Sequence, residues 1–156
     1  MNKRTIIEKT MKVTAFLIGI AIMFTLIIGV VRVSGNEMYP ALHEGDLCIY
    51  LRNCQAVSKD VVVYNYAGEL RISRVAAVDG DRVTIRDGSL FVNEILMSED
   101  IFYATECEEE ISDHPVSGSF ILNDYRENQN DSRLFSDIED DEIHGKVILV
   151  VRFRGF

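Results

Sequence analysis

Ser34-Gly35-Asn36-Glu37-Met38-Tyr39-Pro40-Ala41-Leu42-His43-Glu44-Gly45-Asp46 is the stretch on which the reading of this chain turns. It is punctuated like a shaped loop. Gly35 permits a close backbone approach, Met38 is a flexible apolar plug, and Pro40 fixes φ in the turn that follows. Gly45-Asp46 then turns the chain into the apolar run Leu47-Cys48-Ile49-Tyr50-Leu51. In this frame Glu37 sets a carboxylate immediately before the plug, with Ser34 close by in sequence.

Upstream of the loop, Val13 to Val31 runs for nineteen residues without a charge. A hydrocarbon core of about 30 Å takes roughly 20 apolar residues in a helix, so residues 13–31 are expected to form a transmembrane helix in contact with membrane lipid. A cleaved leader would have an apolar region of ~7–15 residues ending at small residues. This run is longer and ends in Val30-Val31-Arg32-Val33. Lys3, Arg4, Lys9 and Lys12 against Glu8 give the first twelve residues a charge of +3, and basic residues flanking a span stay on the cytoplasmic side. The expected layout is a cytoplasmic tail over 1–12, the helix over 13–31 and an extracytoplasmic domain over 32–156. The whole chain is −9, which leaves −12 beyond the tail. Nucleic-acid binding needs a basic face and is excluded; basic or neutral protein partners suit the charge.

Downstream, short apolar runs alternate with turn signals: Leu47 to Leu51, Val61 to Tyr64, Leu70 to Val78, Arg82 to Ile85, Leu90 to Val92, Phe120 to Leu122, and the closing run Lys146 to Phe153. They are rich in β-branched residues and too short for soluble helices. Asp87-Gly88 between two of them signals a hairpin, because both residues tolerate positive φ. The outer domain is therefore expected to be mainly β, an antiparallel sheet or barrel-like fold. Glu99 to His114 is crowded with carboxylates and is expected to be a solvated surface loop. Cys48, Cys54 and Cys107 are odd in number, so at least one thiol lacks an intrachain partner. Cys48 and Cys54 could pair across a hairpin, or all three could be small buried residues. Their spacing fits no zinc motif, and Glu37, His43 and Glu44 sit in one loop with no converging ligands, so neither metal nor cofactor is expected.

The opening stretch resembles the signature of type I signal peptidases, S-G-x-S-M-x-P-T-L-x-x-G-D. Five further segments resemble that family in its order. Ser58-Lys59-Asp60-Val61-Val62-Val63-Tyr64 is similar to R-G-D-I-V-V-F, and Ser73-Arg74-Val75-Ala76-Ala77-Val78-Asp79-Gly80-Asp81 to K-R-V-I-G-x-P-G-D, followed by Gly88-Ser89-Leu90-Phe91-Val92-Asn93 for G-x-L-x-V-N. Asn123-Asp124-Tyr125-Arg126-Glu127-Asn128-Gln129-Asn130-Asp131-Ser132-Arg133 resembles G-D-N-R-x-x-S-x-D-S-R, and Ile143-His144-Gly145-Lys146-Val147 resembles I-x-G-K-V. On these segments the chain is identified as a member of the family, in its minimal Gram-positive form.

What the resemblance implies for chemistry is a departure. The family's nucleophile is a serine, and its base is a neutral lysine. Here the nucleophile position holds Glu37 and the base position holds Ser73. The serine that orients the lysine is replaced by Gln129, and the glycine opening the last box by Asn123. A serine hydroxyl is a weak nucleophile without an adjacent base. A rewired pair, Ser73 as nucleophile and Glu37 as base, would lack a third group to tune it; the simpler expectation is an inert Glu37–Ser73 hydrogen bond at the floor of a groove. Ser34, Gly35, Met38, Pro40, Gly45, Asp46, Arg74, Asp124, Arg126, Asp131 and Arg133 are expected to be groove and framework residues. The family's groove takes its precursor as an added β-strand, which needs no nucleophile. The resemblance thus implies a membrane protein that binds or escorts exported precursors without cleaving them. Pilin subunits and a sortase system are the specific partners it suggests; the alternative is an active signal peptidase.

Overall fold

The apolar run makes a helix because nothing in it interrupts one. In the computed structural model, which describes residues 3–98, 101 and 103–152, α1 spans Lys3–Ile27. Its portion Ile7–Ile27 is long and apolar enough to cross a membrane; at 1.5 Å per residue those 21 residues reach about 32 Å. The Thr14 hydroxyl bonds the Thr10 carbonyl at 3.0 Å and Thr25 bonds Ala21 at 2.8 Å, so these polar groups are satisfied within the helix, as an apolar environment requires.

The helix ends at Ile27, short of the expected Val31. Ile28–Arg32 is instead strand β1, paired antiparallel with β2 (Leu47–Arg52) from Ile28↔Leu51 to Arg32↔Leu47. Ile28, Val30 and Val31 are β-branched and equally at home in either element; pairing with β2 decides the matter. The remaining strands are β3 (Val61–Tyr66), β4 (Glu69–Val78), β5 (Arg82–Arg86), β6 (Ser89–Val92), β7 (Ile95–Leu96), β8 (Ile111–Pro115), β9 (Ser119–Leu122) and β10 (Ile143–Val151), with a one-turn helix α2 (Ser132–Phe135) between the last two. Every strand expected from the apolar runs is present. Glu99, Asp100 and Phe153 lie outside the described residues.

All pairings are antiparallel. One sheet has the order β1-β2-β10-β3-β4-β9, the other β7-β6-β5-β8. The β5–β6 hairpin closes from Arg86↔Ser89 over Asp87-Gly88, at φ 49° and 69°, the positive-φ pair that this turn requires. Strand β8 occupies the end of the expected acidic loop. Ile111 is its apolar residue packed against the core, so its edge position left little apolar signal in the sequence. Its Asp113 forms an ion pair with Arg82 across the β5–β8 ladder.

Two clusters bear on the site. Ala76, Ala77, Ile85, Leu90, Phe120 and Leu122 fill the space between the sheets. Met38, Val33, Leu42 and Cys48 form another, packed under the loop between β1 and β2.

Candidate functional site

The loop between β1 and β2 is closed at its neck. Val33 N–H donates to the Asp46 carbonyl at 2.8 Å, and Gly45 N–H donates to Val33 at 2.9 Å. The buried Asp46 carboxylate accepts the His43 N–H at 3.1 Å, and the Tyr39-Pro40 peptide is cis. Gly35 lies at φ +84°, where side chains are strained. A Cβ there would also stand 2.4 Å from Glu37 Oε2, so the Glu37 carboxylate is folded back over the glycine. Met38 is 1% exposed and anchors the loop from below.

Glu37 and Ser73 line one groove of about 430 Å³, with Ser34, Met38, Tyr64 and Asn123 among its other residues. One wall is the chain from Val31 to Ser34; the other is the first half of β4, Glu69 to Ser73. The sequence therefore named both floor positions, and the fold brings them to one cavity. It does not join them: among the described residues no hydrogen bond links Glu37 to Ser73.

The partner of Ser73 is Asn123. The β4–β9 register pairs Arg74 with Leu122, so the next step along both chains sets Ser73 against Asn123. The fully buried Ser73 hydroxyl donates to Asn123 Oδ1 at 2.8 Å and lies 3.3 Å from the Tyr64 hydroxyl. The Asn123 amide donates in turn to the carbonyls of Asn128 at 3.2 Å and Asn130 at 3.4 Å. Gln129, aligned with the orienting position, is half-buried, and among the described residues no hydrogen bond links its side chain to Ser73. Burial raises the Tyr64 hydroxyl above its ordinary pKa, opposed by the Ser73 hydrogen bond and by Arg71, so the groove floor is built of neutral hydroxyls and an amide around Ser73.

This arrangement commits the Ser73 proton to an amide oxygen, which is no base. The cations lining the groove are Arg32 and Arg71. A guanidinium stays protonated in proteins, so neither can play the part of a neutral amine. Among the described residues, no lysine lines the groove.

Around the floor the charges are densely bonded. Arg74 forks onto Asp124 at 2.8 and 2.6 Å and donates to the Lys59 carbonyl at 3.0 Å. Arg133 forks onto Asp131 at 2.9 and 2.7 Å, with both side chains at most 1% exposed. Arg133 also donates to the carbonyls of Glu106 and Arg126 at 2.8 Å and of Asn128 at 2.9 Å. Asp131 accepts the Asn123 N–H at 2.9 Å and caps α2. Buried Arg126 donates to Thr105 Oγ1 at 3.1 Å and to the Asn123 carbonyl. Tyr125 N–H reaches across to the Glu37 carbonyl at 2.9 Å, tying loop 123–133 to the loop that carries Glu37. Sequence reasoning missed Tyr64 and Thr105; a tyrosine in an apolar strand and a threonine in an acidic stretch carry no local sign of such partners.

The three cysteines are free in the structure. An extended strand rises about 3.3 Å per residue, so Cys48 and Cys54, on and beyond β2, stand too far apart for a disulfide. Burial and the neighbouring Asp46 push the Cys48 thiol up to about 11, which keeps it a protonated core side chain. Among the described residues, no three His, Cys, Asp or Glu side chains converge to hold a metal.

A helix long and apolar enough to span a membrane, leading directly into antiparallel sheets that wall a groove over one loop-borne and one strand-borne position, defines a recognisable class of β protein. The signal peptidase family, peptidase S26, matches residues 6–152, and the chain belongs to it. It is 27% identical over 154 residues to a Staphylococcus aureus protein named inactive signal peptidase IA, covering 88% of this chain and 86% of the relative. It is 30% identical over 135 residues to thylakoidal processing peptidase 1 of Arabidopsis thaliana, covering 74% of this chain but only 39% of that longer protein. The crystal structure of a signal peptidase I from Enterococcus faecalis shares the fold, with a TM-score of 0.52 and 21% identity over 61% of this chain and 98% of that one.

Proposed function

We propose that this protein binds exported precursors at the outer face of the membrane and holds them without cleaving them. The observation that carries this reading is the 2.8 Å bond from Ser73 to Asn123 in a groove where, among the described residues, no lysine lines the wall or floor. Nucleophilic catalysis by a hydroxyl requires a base within reach, and this hydroxyl is spent on an amide. Binding has different requirements. Strand β9 pairs with β4 only from Arg74 onward, so Glu69 to Ser73 are paired on one side, with β3, and face the groove on the other. An extended peptide can add there as a strand through main-chain hydrogen bonds.

The helix up to Ile27 serves as the anchor, with the basic tail inside and the β domain outside. Pilin subunits handled alongside a sortase system are the clients this reading favours. The test uses the full-length chain in detergent micelles with a signal-peptide-bearing precursor. Saturable binding without processing is expected. Capture of a covalent acyl-enzyme, or processing that disappears in Ser73→Ala, overturns the reading in favour of an active peptidase.

A further inference from the structure

Among the described floor groups, Glu37 is the one whose chemistry is not consumed by its surroundings. Its backbone carbonyl is bonded to Tyr125, but among the described residues its carboxylate takes no hydrogen bond and no ion pair. The two guanidinium groups that line the same groove are turned elsewhere. Arg71 lies 3.5 Å from Glu69 and 5.3 Å above the Tyr66 ring. Arg32 lies over Gly45, 3.5 Å from where a Cβ would stand there. Glu37 is half-buried, and its carboxylate rests against Gly35, where no side chain could share the space. A partly desolvated anion beside an unpaired strand edge attracts a cation more strongly than one in open water does.

We infer that Glu37 is a recognition carboxylate: the groove selects an extended peptide segment that presents a lysine or arginine side chain over the floor. This rests on the peptide-binding reading above and gives it a substrate class. The strand edge Glu69 to Ser73 supplies affinity that is indifferent to side chains, and Glu37 supplies the choice among them. The negative balance of the outer domain, −12 beyond the basic tail, favours the approach of such a segment.

The experiment titrates the full-length protein in detergent with three N-acetylated, C-amidated strand-forming peptides that differ only at a central residue: lysine, norleucine or glutamate. Norleucine keeps the aliphatic stem of lysine and lacks the charge. The lysine peptide is expected to bind about tenfold more tightly than the norleucine peptide, a 1.4 kcal/mol difference, with glutamate weakest. The lysine advantage should vanish in Glu37→Gln and invert toward glutamate in Glu37→Lys. It should also shrink as salt is raised from 0.05 to 0.5 M, since screening weakens a partly exposed pair. Equal binding of all three peptides overturns this inference and leaves precursor binding standing. A lysine advantage that persists unchanged in Glu37→Gln overturns it too, and places the selectivity on another carboxylate such as Glu69. Failure of every peptide, together with failure of the intact precursor, removes both readings.

Discussion

The loop from Asn123 to Arg133 has two sides, and they are built from different materials. The side facing the groove is neutral: Asn123 accepts the Ser73 hydroxyl at 2.8 Å, and its amide donates back to the Asn128 and Asn130 carbonyls at 3.2 and 3.4 Å. The side facing away is ionic: Asp131 and Arg133 are buried together, and Arg133 adds three carbonyl acceptors to its fork. A lost neutral hydrogen bond costs about 1 kcal/mol, whereas an uncompensated buried charge costs ~3–5 kcal/mol. Groove shape is therefore secured by the ionic side, and the identity of the floor residues is free to change without moving the walls. That separation explains how a signal-peptidase scaffold persists around a floor of glutamate, serine and asparagine.

The comparison breaks most readily at Arg133. Arg133→Ala leaves the Asp131 carboxylate buried and strips three carbonyls of their donor, and it should cost about 3–5 kcal/mol in chemical denaturation. A loss under about 1 kcal/mol would mean that the ionic side does not hold the loop. Asp124→Ala is expected to cost less, ~1–2 kcal/mol, because its partner Arg74 is 27% exposed and water can replace the carboxylate.

The sequence carried most of the sheet and the position of the groove but not its internal bonds. Runs such as Val61-Val62-Val63-Tyr64 and the Asp87-Gly88 turn speak through local propensity, and their strands formed where expected. Where two elements compete for the same residues, local signals fail: Ile28 to Val31 suit a helix or a strand, and only the β2 register settles them. The floor failed for a related reason. Glu37 and Ser73 are legible as departures from a motif, but the partner of Ser73 follows from which residue of β9 meets β4, a long-range register that no window of sequence contains. Asn123 therefore reads as a lost glycine when it is in fact the acceptor at the centre of the floor.

Asn123 also sharpens the distinction between lost residues and lost space. In Glu37→Ser with Ser73→Lys, nucleophile and amine are restored in name. The new lysine must still enter a site packed by Tyr64 and the Asn123 side chain, so precursor processing is expected to stay at background. Adding Asn123→Gly clears the acceptor, and processing at least tenfold above the double variant is expected in a detergent assay with a signal-peptide substrate. Its stability cost relative to the double variant should be about 2 kcal/mol, since the Asn123 amide's two bonds to the Asn128 and Asn130 carbonyls are lost. Robust cleavage by the double variant alone would show that the floor tolerates an amine without the cleared space.

The smallest effect is expected at Glu37 itself. Glu37→Gln removes a charge that has no counter-ion among the described residues and keeps the volume folded over Gly35. Its backbone carbonyl, which receives Tyr125 N–H, is untouched. Stability should therefore change by no more than about 0.5 kcal/mol, as at other sites away from packing and pairing features, with the denaturant slope unchanged. A loss above about 1.5 kcal/mol would make Glu37 part of the framework, with its carboxylate shaping the loop rather than waiting for a ligand. A small gain would fit the opposite case, since a charge held half-buried for recognition is maintained at some cost to the unliganded fold. The sign of this one substitution thus separates a side chain that builds the groove from one that serves what enters it.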